Sequence, residues 1–188
     1  DFDLLIDKSK PGNNGKIIIP WFEGERTPDL PEAAPIYFGF DPGDFNKKTI
    51  ARGLLEGHLQ NLYDGFRRLP VKLKKIHLTG GMSKSRSWCQ AIADIFSCDT
   101  VPLETEGAAL GAALHASWVW HNENGEPKEI NEIVEPFILL KENLICNPRE
   151  KYQKIYRDQS KLFSSLSKRV RGKSSEDPFN LFHRMVKQ

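Results

Sequence analysis

Length, composition and charge exclude several classes of protein. The chain has 188 residues, of which 39% are hydrophobic and 10% aromatic, and its formal net charge is +2. A chain of this length buries enough surface for one core without disulfides or metal ions, and its composition is that of a globular rather than a disordered protein. No apolar run approaches the roughly 20 residues that span a bilayer, and the first residues lack a signal-peptide pattern, so we expect no membrane partner.

The charges are distributed unevenly along the chain. Residues 1–140 contain 15 Lys and Arg against 20 Asp and Glu, whereas residues 141–188 contain 12 against 5. We therefore expect one domain over residues 1–168 and a basic C-terminal tail over residues 169–188. No aromatic residues interleave with the basic stretch at 168–173 to stack on bases, so we interpret the tail as solvated and do not expect nucleic acid as a partner.

The cysteines indicate a reducing compartment. Cys89, Cys98 and Cys146 are odd in number and form no Cys-x-x-Cys pair. Such cysteines mostly behave as small buried hydrophobes. We therefore expect a cytoplasmic protein.

The first part of the chain predicts two strands and a long helix. Residues 1–7 are partly apolar but carry no helix-start signal. Residues 16–22 and 36–40 are short apolar runs bounded by Pro and Gly, and no helix pattern separates them, so we expect an antiparallel pair. Apolar residues then recur at steps of three and four over 50–69, which predicts an amphipathic helix.

Strands and helices alternate in the next part, which implies parallel pairing with right-handed crossovers. The predicted elements are a strand at 76–79, a helix around 88–96 capped by Ser83, Ser85 or Ser87, a strand at 100–103, and an alanine-rich helix over 108–116 preceded by Glu104 and Glu106. After residue 122 the pattern weakens to a loop. A last helix follows around 152–166, and residues 171–188 are predicted to be mobile or peripheral.

The sharpest candidate site is the point where the strand at 76–79 meets Gly80 and Gly81. Two glycines where a parallel strand leads into a helix allow a ligand to approach the backbone, and free N–H groups at a helix start favour phosphate or ribose oxygens. Ligands of open α/β sheets bind at this edge. A tight turn with close helix–strand packing is an equal alternative, because the spacing matches neither a Walker loop nor a dinucleotide fingerprint.

The other candidate sites give weaker indications of binding or catalysis. Arg26 offers a forked cation suited to a phosphate or carboxylate, although neighbouring acids could instead hold it. The alanine-rich helix is more typical of packing than of ligand binding. The five histidines show no metal-ligand spacing with one another or with the cysteines, no Gly-x-Ser-x-Gly motif occurs, and no carboxylate stands out as a base. We therefore predict neither a metal site nor a catalytic residue.

Four segments, in this order and spacing, resemble the C-terminal domain of FGGY-family carbohydrate kinases, and the first resembles the xylulose kinases of that family in particular. They are 11–28 with Gly24-Glu25-Arg26-Thr27-Pro28, 37–57, 80–88 with Gly80-Gly81-Met82-Ser83-Lys84-Ser85, and 106–113 with Glu106-Gly107-Ala108-Ala109-Leu110-Gly111.

The resemblance implies an α/β, actin-like ATPase (ribonuclease-H-like) domain with a mixed sheet and helices on both faces. It implies ATP and Mg²⁺ as cofactors, with Gly80, Gly81 and Met82 lining the nucleotide, Ser85 at a polar contact, and Arg26 on the substrate side. The family's catalytic base and phosphate loop belong to an N-terminal domain, which becomes the expected partner together with ATP, ADP and a sugar. The metal is expected to lie mainly with that domain and the phosphates.

The resemblance implies that the chain is the ATP-binding half of a sugar kinase, which transfers the γ-phosphate of ATP to a sugar hydroxyl. D-Xylulose is the sugar that we expect. The isolated chain is expected to be inactive. A kinase for ribulose, gluconate or glycerol, and a non-catalytic actin-like nucleotide-binding module, are the alternatives. A homodimer is also left open. Three residues depart from the family pattern. Met82 stands where Gly is frequent, Gly53 where Ala or Ser is usual, and Pro35 where a small residue is expected.

Overall fold

The computed structural model describes residues 2–104 and 107–187. These residues form seven helices and four strands. The helices are α1 (Phe2–Asp7), α2 (Lys47–Phe66), α3 (Arg86–Phe96), α4 (Gly107–Glu123), α5 (Ile130–Val134), α6 (Glu150–Val170) and α7 (Pro178–Val186). The strands are β1 (Ile17–Ile19), β2 (Ile36–Phe38), β3 (Ile76–Leu78) and β4 (Thr100–Pro102).

The strands pair as the sequence predicts, but they are shorter. β1 and β2 are antiparallel with Ile18 opposite Tyr37, and β3 and β4 are parallel with His77 opposite Val101. Among the described residues the strands form two two-stranded sheets rather than one continuous mixed sheet. Pro20 follows β1 directly and Gly39, at φ 75°, follows β2, so neither residue continues its ladder.

The long helix α2 packs closely against β1 through two glycines. A Cβ atom at Gly57 would lie 2.1 Å from the carbonyl oxygen of Ile18, and one at Gly53 would lie 2.7 Å from the Ile18 Cδ1 atom. Residues four apart lie on one helix face, so this face meets the backbone of Ile18 at Gly57 and its side chain at Gly53. Close approach of α2 to β1 therefore explains Gly53, which departs from the family pattern.

A buried polar network joins α2 to α6 and to the loop before β1. The Glu56 carboxylate accepts hydrogen bonds from the Gly12 N–H (2.8 Å), the Tyr156 hydroxyl (2.9 Å) and the Gln159 amide (2.6 Å), and the Arg52 guanidinium lies 3.6 Å away. Burial raises the pKa of Glu56 above its ordinary value, and Arg52 opposes that rise. The helix pattern did not reveal this network, because charged residues within α2 are expected on its solvated face.

The sequence suggested a mobile or peripheral segment at 171–188, but Pro178–Val186 within it forms the packed helix α7. α7 packs on α6, and Leu181 belongs to a buried cluster with Ile17, Trp21 and Leu162. The Phe182 ring covers the backbone at Gly39, where an added Cβ would lie 2.6 Å from it. The predicted boundary after residue 168 falls in the last turn of α6.

Two further helices differ from the predictions. α1 forms where no start signal was found, and packing of Ile6 against α2 and α3 compensates for the missing signal. α4 is longer than predicted and strongly apolar, yet none of its 17 residues is buried. Glu106, predicted to precede α4, lies outside the described residues. None of the described helices combines the length and hydropathy needed to cross a bilayer.

Replacing Gly57 tests the contact between α2 and β1. Gly57→Ala should lower the free energy of unfolding by about 1–3 kcal/mol, because its methyl group overlaps the strand backbone. The matched control is Gly65→Ala in the same helix, where a Cβ meets nothing within 4 Å. The control should be neutral or up to about 1 kcal/mol more stable. Urea unfolding measures both, and equal effects would contradict the packing described.

Replacing Arg52 tests the buried ion pair and its pH dependence. Arg52→Met should cost about 3–5 kcal/mol, because it leaves the Glu56 carboxylate buried without its cation. Without Arg52 the pKa of Glu56 rises further. Between the unfolded value and that raised folded value, the folded carboxyl keeps a proton that the unfolded chain releases, so the variant loses stability as pH increases.

The loss caused by Arg52→Met should therefore be larger at about pH 8 than at about pH 5 in urea unfolding. Arg68→Met is the control, since Arg68 is 55% exposed beside Asp64. It should change stability by less than about 1 kcal/mol at either pH. A pH-independent loss in Arg52→Met would show that Glu56 does not titrate as described.

Candidate nucleotide site

The loop after β3 begins with a backbone conformation that only glycine adopts readily. Gly80 has φ 82° and ψ −174°, a region in which a Cβ atom clashes with the backbone. Gly81 then starts a 3₁₀ turn, Gly81–Lys84. The sharp change of direction lets the loop leave the end of β3 with its backbone exposed.

The two glycines and Met82 face open space. A Cβ atom added at either glycine would meet no described residue within 4 Å, and Met82 is 46% exposed. Thr79 before them is exposed as well. Backbone geometry requires glycine at position 80, but no packing contact with residues 2–104 or 107–187 requires it at position 81.

Short-range hydrogen bonds hold the loop in shape. The Gly80 carbonyl accepts from the Ser83 N–H (3.2 Å) and hydroxyl (2.7 Å), and the Met82 carbonyl accepts from the Ser85 N–H (3.1 Å). The buried Cys89 thiol lies 3.4 Å from the Ser83 carbonyl oxygen and donates to it. Burial raises the pKa of Cys89 to about 11, so this cysteine is a hydrogen-bond donor rather than a reactive thiolate.

Ser85 is the N-cap of α3, one of the three serines predicted for that role. Its hydroxyl accepts from the Trp88 N–H at 3.1 Å and donates to the Asp3 carboxylate at 2.5 Å. Sequence reasoning missed Asp3, because 82 residues separate it from Ser85 and only tertiary packing brings the two together.

The start of α4 adjoins the same strand end. The Gly107 N–H donates to the Thr79 hydroxyl at 3.0 Å. Thr79 immediately precedes Gly80, so the described part of α4 begins beside the glycine loop. The residues just before it, 105 and 106, lie outside the described part of the chain.

Arg26 lies in a separate loop. The Glu25 carboxylate accepts from the Arg26 and Thr27 N–H groups and, at 2.8 Å, from the Asn61 amide of α2. Glu25 therefore fixes the loop through its backbone, and the Arg26 side chain is exposed. Within the described part of the chain, no hydrogen bond or ion pair joins Arg26 to Gly80 or Gly81.

The described residues contain no group of three or more His, Cys, Asp or Glu side chains placed to hold a metal ion. The residues of the loop offer backbone amides and an apolar side chain instead. This chemistry suits a nucleoside or phosphate oxygens better than a bare cation.

Comparison with known proteins now decides the family. Residues 3–120 match the FGGY family of carbohydrate kinases, C-terminal domain. The chain belongs to this family. Xylulose kinase from Haemophilus influenzae is 36% identical over 162 residues, which cover 84% of this chain and 32% of that protein.

Two solved kinase structures share the fold of this chain. Gluconate kinase from Lactobacillus acidophilus superposes with a TM-score of 0.77 at 24% identity, covering 90% of this chain and 34% of that one. Ligand-bound xylulose kinase from the same organism gives 0.76 at 24% identity, covering 91% and 34%. The α/β, actin-like class predicted from the sequence is thus confirmed, and this FGGY domain spans about a third of the length of the relatives it matches.

Proposed function

We propose that this FGGY domain is the nucleotide-side part of a sugar kinase that transfers the γ-phosphate of ATP to a sugar hydroxyl. Gly80, Gly81 and Met82 line the adenosine part of ATP or ADP, with Ser85 at its polar edge. The observation that carries the proposal is Gly81. Its missing side chain is required neither by a left-handed backbone conformation nor by a packing contact with any of the described residues. A ligand that approaches from outside the chain supplies the missing reason.

The nucleotide fits the chemistry of the loop. An exposed methionine beside bare backbone gives an apolar surface for a purine ring, and backbone amides give donors for its polar edge. The Mg²⁺ ion that accompanies ATP would be held by the phosphates and by residues outside this loop.

The division of labour follows from the reaction class. Phosphoryl transfer depends on in-line positioning and charge neutralisation, and closure of two domains around both substrates supplies the positioning. In the FGGY family the base that takes the sugar proton belongs to the N-terminal domain. We therefore expect this chain alone to bind ADP weakly and to lack kinase turnover.

D-Xylulose is the sugar we propose. The relative that is 36% identical over most of the chain is a xylulose kinase. The structural likeness to gluconate kinase, at 24% identity, supports the fold alone. Arg26 would lie on the sugar side in this assignment, and its exposed position leaves it accessible to a substrate or a facing domain. The three buried free cysteines agree with a reducing, cytoplasmic location.

Nucleotide titration by calorimetry tests the loop. Wild-type chain should bind ADP, and Gly81→Asp should weaken binding by at least about tenfold, because a carboxylate then occupies the adenosine side of the loop and repels phosphate. The melting temperature should not change, since a Cβ at position 81 meets nothing within 4 Å.

Gly65→Asp is the matched control for that titration, because its Cβ also meets open space but lies on α2. It should bind ADP as the wild type does. Equal affinities for wild type and Gly81→Asp would remove the loop assignment. Phosphorylation of xylulose by the chain alone would contradict the proposed division between domains.

A further inference from the structure

Two carboxylates of α1 contact two serines at the start of α3. Asp3 accepts from the Ser85 hydroxyl at 2.5 Å, and Asp7 accepts from the Ser87 hydroxyl at 3.0 Å. The Phe2 and Trp88 rings, 6.3 Å apart, pack beside the first contact. Two similar hydrogen bonds therefore attach α1 to α3. The bond at Ser85 adjoins the glycine loop, and the bond at Ser87 lies farther from it, within α3.

The bond to Asp3 uses the only hydrogen that the Ser85 hydroxyl can donate. A serine hydroxyl has one donor hydrogen and two acceptor lone pairs. The hydrogen points to Asp3, and one lone pair accepts from the Trp88 N–H. Ser85 can therefore offer a bound nucleotide only its remaining lone pair. A hydroxyl-to-carboxylate bond of this length is in the strong, charge-assisted class.

Ser85 also closes the glycine loop through its backbone. Its N–H donates to the Met82 carbonyl at 3.1 Å, directly after Gly80 and Gly81. One residue therefore both caps α3, through its hydroxyl, and ends the glycine loop, through its N–H group. Fixing the Ser85 side chain also fixes this end of the loop. Ser87, by contrast, lies inside α3, where the helix itself determines the backbone.

α1 provides a fixed position for Asp3. The buried Arg52 side chain donates to the Ile6 carbonyl at 2.8 Å and to the Ser9 hydroxyl at 2.9 Å. Arg52 is in turn paired with Glu56 in the core network. The Asp3 carboxylate is therefore carried by a short helix that is anchored to α2 rather than by a free terminal segment.

We propose that Asp3 is a positioning residue for the glycine loop, acting through the Ser85 hydroxyl. Its relevance to nucleotide binding rests on the function proposed above. Asp3 holds Ser85 in the rotamer that caps α3, and the cap keeps the loop of residues 80–85 in the shape that leaves the glycine backbone bare. Asp7 makes a comparable bond but does not act on the loop.

Amide hydrogen exchange of the nucleotide-free chain tests the first half of this proposal. Asp3→Ala should speed exchange at the Ser83 and Ser85 N–H groups by at least about fivefold, because the turn opens more often. Asp7→Ala, the matched control, should leave both rates within about twofold. Asp3→Asn keeps the shape and an acceptor oxygen, so it should give an intermediate rate and serves if Asp3→Ala does not fold. Unchanged rates in the Asp3 variants, or equal acceleration by Asp7→Ala, would overturn the proposal.

ADP titration tests the second half with the same proteins. Asp3→Ala should weaken ADP binding by about fivefold while Asp7→Ala does not, even where both lower the melting temperature equally. The double variant Asp3→Ala/Ser85→Ala should bind no more weakly than Ser85→Ala alone, because Asp3 acts through Ser85. Additive losses would overturn that route. Absence of ADP binding by the wild type would remove the proposed function, whereas the exchange rates would still decide the role of Asp3.

Discussion

A single buried carboxylate, that of Glu56, connects segments that are far apart in the sequence. It accepts from the Gly12 backbone, from Tyr156 and from Gln159, so the loop before β1, α2 and α6 converge on one side chain. A buried charge is tolerated only when it is paired and hydrogen-bonded, and Arg52 completes the set. The relative placement of these three segments depends on this network, because loss of any donor leaves an unmet polar group in the core.

The same helix positions both candidate loops. Arg52 of α2 holds α1, whose Asp3 reaches Ser85 at the glycine loop, and Asn61 of α2 holds Glu25 in the loop that carries Arg26. Gly53 and Gly57 let α2 lie directly on β1. The core and the proposed binding surface are therefore connected through α2.

The apolar helix α4 differs from α2, because none of its residues is buried. It begins beside the glycine loop, where the Gly107 N–H donates to the Thr79 hydroxyl.

Local sequence patterns predicted most of the helices and strands, but they could not predict contacts between residues that are distant in the sequence. Periodicity identified α2, glycines after an apolar run marked the loop at Gly80, and the strand directions followed from the connections. The α7 segment was misjudged because its surroundings in the sequence are polar, although Leu181 joins the buried cluster and the partly buried Phe182 packs on Gly39, the residue after β2. Glu56 and Asp3 could not be singled out, since a carboxylate's burial or its bond to a serine 82 residues away depends on tertiary packing.

We propose that a nucleotide rests on the exposed glycine backbone after β3. The most direct measurement is a titration of the ¹⁵N-labelled chain with ADP, followed through its amide chemical shifts. We expect the largest shift changes at Gly80, Gly81 and Met82, with small changes in α7 and in the loop around Arg26. Shift changes concentrated elsewhere, with these three amides unmoved at saturating ADP, would contradict it.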